Sequence, residues 1–147
     1  MRVLVTGGSG FIGSHVVDKL CDRGITVRVF DAVAPKFRND VEFHQGDILR
    51  EESLRSALGG VDAVVHLAAV ADVREVFAHP LEAEEVNVRG TVNVLEAMRR
   101  VGPKRVLYAS TVWVYSDCEG AVVDEFTPIA PPSPLYTATK YASELYC

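Results

Sequence analysis

Thirteen residues near the N-terminus constrain this chain more than any other stretch: Val3-Leu-Val-Thr-Gly-Gly-Ser-Gly-Phe-Ile-Gly-Ser-His15. Val3 to Val5 is an apolar run short enough for a buried strand. The chain then turns through Thr6, Gly7, Gly8, Ser9 and Gly10. It resumes with Ile12, Val16 and Leu20 at helical spacing, which predicts a buried stripe on a first helix from Phe11 to Arg23. Strand, glycine turn and helix in that order make an anion site. Glycine permits backbone dihedrals that other residues resist, and its missing side chain lets a ligand touch the main chain. The first amides of a helix have no internal partner and carry partial positive charge, so a diphosphate fits there.

The glycines are spaced Gly7-x-x-Gly10-x-x-Gly13, which differs from the common G-x-G-x-x-G fingerprint. The strand before and the helix after supply the context that a bare glycine triplet lacks, and the turn is read as a dinucleotide site. A second strand, Thr26 to Phe30, ends at Asp31, eighteen positions after Gly13. A carboxylate there accepts hydrogen bonds from both hydroxyls of an adenosine ribose and repels a 2′-phosphate. No arginine stands in the next three positions, so NAD is expected over NADP.

The remaining chain alternates strands and helices. Strands are expected at Val41 to Gln45, Ala63 to Leu67 and Arg105 to Ser110. Helices are expected at Ser53 to Leu58, at Pro80 to Arg100 with Val88, Val92 and Leu95 buried, and from Tyr136 to Cys147. Leu135, Ala138, Tyr141 and Leu145 form the apolar spacing of the last. Asn87 and Gly90 interrupt the long helix with no propensity reason; Asn87 is left open between ligand and solvent. Asp117 to Ser133 is irregular, with four of the seven prolines between Pro128 and Pro134. The alternation implies an α/β fold with a doubly wound parallel sheet, a Rossmann fold in the order 3-2-1-4-5.

At 147 residues the chain reads as one domain, 1–147, and a net charge of −5 does not suggest a nucleic-acid partner. No apolar stretch approaches a membrane span. Cys21, Cys118 and Cys147 are scattered and odd in number, which suggests reduced thiols and a cytoplasmic location. The four histidines, His15, His44, His66 and His79, lack metal-ligand spacing.

Ser110-Thr111 and Tyr136-x-x-x-Lys140 could do chemistry. Residues four apart share a helix face. An ammonium beside a phenol favours the phenolate and makes a usable base near neutral pH. A threonine hydroxyl at a strand end can bond the same substrate oxygen.

With these motifs together, the chain resembles the extended short-chain dehydrogenase/reductase family, in the NAD-dependent epimerase/dehydratase branch typified by UDP-glucose 4-epimerase. The matching stretches are Thr6-Gly-Gly-Ser-Gly-Phe-Ile-Gly13, Gly46-Asp-Ile48, His66-Leu-Ala-Ala69, Asn87-Val-Arg-Gly-Thr91, Ala109-Ser-Thr-Val-Trp-Val-Tyr115 and Tyr136-Thr-Ala-Thr-Lys140. The resemblance implies that Gly7, Gly10, Phe11, Ile12 and Gly13 hold the pyrophosphate and Asp31 the ribose. It implies that Asp47 and Ile48 contact adenine, that Leu67, Ala68 and Ala69 line the cofactor, that Ser110 belongs to the cofactor site, and that Asn87 supports the site from the long helix. Thr111 and Tyr136 would face the sugar; Lys140 would face the nicotinamide ribose and Tyr136. The implied substrate is a nucleotide sugar, UDP-linked, with a homodimer left open.

Dehydratases of the branch carry Asp-Glu where this chain has Val112-Trp113, which argues against dehydration. Val114-Tyr115-Ser116 and Pro134-Leu-Tyr136-Thr137 also depart from the usual pattern. Members continue past the Tyr-x-x-x-Lys helix into further strands and a substrate domain, so apolar surface on the fifth strand and last helix is expected to lie open. Two classes of function remain: the cofactor half of an enzyme, either a nucleotide-sugar epimerase or reductase or another extended-family reductase of non-sugar substrates, and a non-catalytic NAD-binding or partner-binding module.

Overall fold

The structure, a computed structural model, describes residues 1–115, 120 and 122–147. Ser116 and Cys118, and part of the expected irregular stretch, lie outside the described residues. Five parallel strands form one sheet: β1 (Arg2–Thr6), β2 (Thr26–Asp31), β3 (Glu42–Gln45), β4 (Ala63–His66) and β5 (Val106–Tyr108), in the order β3-β2-β1-β4-β5. The expected order is the observed one. Helices connect them: α1 (Phe11–Asp22), α2 (Glu51–Ala57), α3 (Val73–Ala78), α4 (Pro80–Glu84), α5 (Gly90–Val101) and α6 (Leu135–Tyr146). Among the described residues no helix is long and apolar enough to cross a membrane.

Successive strand residues point to opposite faces, and this splits the core in two. Leu4, Phe30 and Val64 pack with Leu54 of α2 and Val94, Ala97 and Met98 of α5. Val3, Val5, Val27, Val29 and Val65 pack with Val17 of α1. On the second face β5 has little cover: Leu107 is 67% exposed. Leu145 and Tyr146 at the end of α6 are exposed as well, in line with the open apolar surface expected there.

Three helical expectations need correction. On α1 Gly13 and Val17 are buried, Val16 and Leu20 pack half-buried against the core as expected, and Ile12 is exposed. Gly13 takes the inward place because a Cβ there would strike the Gly7 carbonyl and Gly8 Cα. The long helix is continuous from α4 to α5 but widens to a π-turn over Glu85–Arg89. The extra residue in that turn rotates the inward face onto Asn87, Gly90, Thr91, Val94, Ala97 and Met98, leaving Val88, Val92 and Leu95 only half-buried. Gly90 is small because Ile48 lies against it.

On α6 the apolar spacing faces outward, and the buried face is Thr137, Thr139, Lys140 and Ser143. Hydrogen bonds make that polar face tolerable inside: Thr139 and Ser143 hydroxyls donate to the Tyr136 and Asn87 carbonyls, both at 2.8 Å. Helix α3 was not expected. Its signal is Asp72-Val-Arg-Glu75, an N-cap acid with a glutamate three residues on, and the Asp72 carboxylate does accept from the Arg74 amide at 2.9 Å.

Candidate functional site

The carboxyl ends of β1, β2 and β4 open on a cleft of about 620 Å³. Gly7, Ser9 and Gly10 form one wall, Asp31, Ala32, Val33 and Lys36 another, Gly46, Asp47 and Ile48 a third, and Ala68, Ala69 and Val70 a fourth. The glycine turn is compact. Gly7 has φ +70°, and a Cβ on it would lie 2.6 Å from the Ala68 nitrogen, so no other residue fits there. The N-cap of α1, Gly10, offers no side chain to the helix amides. Ser14 is the first residue of α1 whose amide bonds back into the turn, at 2.9 Å to the Gly10 carbonyl. The helix amides before it are left to a ligand, and the helix dipole points the same way.

Asp31 organises the second wall. One carboxylate oxygen accepts the Ser9 amide at 3.0 Å, and the other accepts the Val33 amide at 3.1 Å. The acid thus ties the glycine turn to the loop after β2, and each oxygen keeps a free lone pair. Asp47 shapes the third wall by accepting the Leu49 amide at 2.9 Å.

Strand register builds a polar layer behind the cleft. Thr6 pairs with His66, and His66 with Tyr108, so three neighbouring strands present these side chains in one row. His66 is fully buried. Its Nδ1 lies 2.6 Å from Thr6 Oγ1 and its Nε2 3.0 Å from Thr91 Oγ1. The Thr91 hydroxyl donates to the Asn87 carbonyl at 2.6 Å, so its oxygen must accept from Nε2–H. Nδ1 is then the acceptor, and the imidazole is neutral. Burial, reinforced by the positive charge of Lys140, pushes the His66 pKa down to about 3.

Asn87 joins the two parts of the site. Its side-chain oxygen accepts the Val70 amide at 2.8 Å; its NH₂ donates to the Val70 carbonyl at 3.1 Å and to Thr139 Oγ1 at 2.9 Å. All three bonds are internal, so Asn87 faces neither ligand nor solvent. It fixes the cleft wall at Val70 and anchors α6, which carries Tyr136 and Lys140.

Tyr136 is half-buried, and its ring stands nearly perpendicular to that of Trp113, at 6.1 Å between centroids. Trp113 in turn donates its amide to Thr111 Oγ1 at 3.3 Å, through the short 3₁₀ turn Val112–Tyr115. The Thr111 segment and Tyr136 therefore meet through Trp113. The Tyr136 hydroxyl is pushed above its ordinary range by burial, the opposite of the direction expected from Lys140. The reason is placement: the Lys140 ammonium lies over the Tyr108 ring, 4.2 Å from its centroid.

Acid stability should report His66. The imidazole is lowered from 6.5 to about 3, so the unfolded chain binds the extra proton between those values. The stabilising effect is complete above pH 6.5 and is lost as the pH falls toward 3. Urea unfolding should show a loss of about 2 kcal/mol between pH 7 and pH 5. His66→Leu should flatten that slope, and an equal slope in both proteins would remove the buried neutral imidazole as its cause.

A family model described as the NAD dependent epimerase/dehydratase family matches residues 3–147. The chain belongs to this family. UDP-glucose 4-epimerase of Lactobacillus helveticus is 37% identical over 152 residues, covering 98% of this chain and 45% of that protein. The UDP-glucose 4-epimerase of Thermus thermophilus, solved in complex with NAD, superposes with a TM-score of 0.88 at 38% identity, over 99% of this chain and 49% of that one. The Bifidobacterium longum enzyme, solved with NAD⁺ and UDP, gives 0.92 at 27% identity, over 99% and 48%. The chain spans about half the length of most of the curated relatives it matches.

Within this epimerase/dehydratase fold the expected residues divide. Gly7, Gly10, Asp31, Asp47, Ile48, Ala68 and Ala69 share the one cleft. The Phe11 and Ile12 side chains do not line it; they sit on an outer hollow of α1 with His15, Lys19 and Arg23, so only their amides could reach an anion. Leu67 packs into the α1-side core. Ser110 is exposed and bonds the Glu144 carboxylate. Lys36, Val70 and Val86 line the cleft and were not foreseen. Lys36 lies five residues after Asp31, beyond the positions weighed for phosphate selection. Val86 enters through the π-turn, which no periodicity announces.

Proposed function

We propose that this chain is the cofactor-binding and catalytic part of an NAD-dependent nucleotide-sugar epimerase acting on a UDP-linked hexose. The observation that carries the reading is the open N-terminus of α1 facing the same cleft as the Asp31 carboxylate, with α6 tied to that cleft through Asn87. The donor set fits a dinucleotide: free amides for the pyrophosphate, a carboxylate for the ribose, apolar Ile48 and Val86 for a flat base. Gly7, Gly10 and Gly13, with the amides of Phe11 and Ile12, would hold the pyrophosphate; Asp31 would hold the ribose, and Asp47 and Ile48 the adenine. Bound there, NAD⁺ supplies reversible hydride transfer. Thr111 would bond the reacting hydroxyl of the sugar. Tyr136 would take that proton and later return it. Lys140 would hold the nicotinamide ribose and, turned from Tyr108, favour the phenolate by its charge.

A non-catalytic NAD-binding half is the second reading. One observation favours it: the ammonium rests on Tyr108 and the Tyr136 phenol is raised. The deciding assay follows NADH absorbance and epimer ratio with UDP-glucose, for this chain and for a version extended to the length of its relatives. Epimerisation by the extended protein is expected and none by the 147 residues alone, which span about half the length of most of these relatives, because positioning of the substrate is a large share of the barrier reduction. An inert extended protein that still binds NAD would establish the second reading.

Cofactor choice is a separate expectation. NAD should bind at least tenfold more tightly than NADP, about what one charge–charge repulsion at the 2′ position supplies. Lys36 on the same wall tempers that repulsion. Asp31→Ala should therefore narrow the ratio, and Asp31→Ala with Lys36→Ala should weaken NADP again. Equal affinities in the unaltered chain would remove Asp31 from the role.

A further inference from the structure

Lys140 is only 3% exposed. A buried ammonium needs a compensating partner. Among the described residues no carboxylate lies within ion-pair distance of it; Glu144, on the same helix, is engaged by Ser110. What it meets is the face of Tyr108, with Nζ 4.2 Å from the ring centroid. The Tyr108 hydroxyl donates to the Lys140 carbonyl at 3.3 Å. One aromatic residue on β5 thus holds both the side chain and the backbone of the lysine. His66, from β4, backs the ring at 5.8 Å between centroids with a tilt of 44°.

The geometry assigns Tyr108 as a positioning residue for Lys140: its ring carries the buried ammonium and its hydroxyl fixes the helix that bears it. This rests on Lys140 being the lysine of the Tyr-x-x-x-Lys pair. Cation–π attraction grows as the groups leave water, and here Lys140 is buried and Tyr108 half-buried. Burial lowers the Lys140 pKa to about 8, against the opposing effect of Cys147. The titratable groups facing the ammonium are His66 from β4, Tyr108 from β5 and Cys147 at the end of α6. His66 is neutral, and the Tyr108 hydroxyl is pushed well up by burial, so neither competes for the charge or removes it near neutral pH.

Proton–carbon NMR of the chain labelled with ¹³C-lysine tests the assignment. Lys19, Lys36, Lys104 and Lys140 give the signals, and Lys140→Met identifies the one of interest. The ε-methylene protons of Lys140 should lie upfield of the others, shifted by the ring current, and titrate with a midpoint near 8. Tyr108→Leu should abolish the upfield shift and lower the midpoint by about one unit. Tyr108→Phe keeps the ring and should keep the shift and the midpoint. A Lys140 signal at an ordinary position in the unaltered chain, or one unchanged by Tyr108→Leu, overturns the assignment. Should Tyr108→Leu fail to fold, the unaltered chain and Tyr108→Phe still decide it. Loss of NAD affinity in Lys140→Met with no ring-current shift overturns the Tyr108 role and spares the lysine. Unchanged affinity in Lys140→Met with the shift present overturns the lysine's role instead.

Discussion

Gly10→Val should abolish NAD binding and leave the fold in place. Gly10 has φ −75° and ψ 177°, an extended conformation that valine adopts readily. A Cβ built there meets only the Gly7 carbonyl, at 3.3 Å, and otherwise faces the cleft. The branched side chain would therefore stand where a pyrophosphate must approach the first amides of α1. Those amides and the helix dipole are the chief source of affinity for a diphosphate, so a loss beyond about a hundredfold is expected by calorimetry. The melting temperature should fall by only a few degrees, because valine is a poorer N-cap than glycine and its Cβ crowds the Gly7 carbonyl. Gly13→Val is the contrasting variant. Its Cβ would land on the Gly7 carbonyl and Gly8 Cα, both backbone, so it should unfold the chain or destabilise it by several kcal/mol. An unchanged NAD dissociation constant in Gly10→Val would reduce the glycine turn to a connector.

The contrast between these two glycines shows what the sequence can and cannot disclose. Strand, turn and helix at the N-terminus are legible because hydrophobic run, glycines and helical period agree with one another. Asp31 is legible because its position relative to the turn follows from the length of one strand–helix–strand unit. The helix faces were less legible. Periodicity finds the apolar side of α6, but that side points outward; the buried side is Thr137, Thr139, Lys140 and Ser143, held by hydrogen bonds that only the tertiary structure supplies. The same cause hides the role of Asn87. Its carboxamide is saturated by Val70 and Thr139, one on a loop and one on a helix far along the chain. The π-turn that brings it inward has no compositional mark. Departures from simple amphipathic patterning collect where the π-turn and α6 pack against each other through buried polar groups.

The second large effect concerns Tyr136. In the protein extended to the length of its relatives, Tyr136→Phe should reduce turnover with UDP-glucose by on the order of a hundredfold or more, the usual size of a lost general base, with NAD affinity nearly intact. The phenol is the group at issue: its ring would still pack against Trp113, so the change removes one oxygen and little packing. Burial holds the hydroxyl above its ordinary pKa here, which by itself would make it a poor base at neutral pH. A positive charge brought close lowers it, and Lys140 on the next turn of α6 is the cation placed to do so once it leaves the Tyr108 ring. The pH dependence follows in sign. Activity should rise with pH as Tyr136 loses its proton, and Lys140→Met should move that rise to higher pH as well as lower the maximum. Thr111→Val should lower turnover while leaving the position of the rise unchanged, since it removes a hydrogen bond to the reacting oxygen and no charge. Single-turnover formation of NADH separates these steps from product release. A Tyr136→Phe protein with full turnover would exclude the phenol as the base, and a Lys140→Met profile with an unmoved rise would mean that the charge tuning Tyr136 comes from elsewhere.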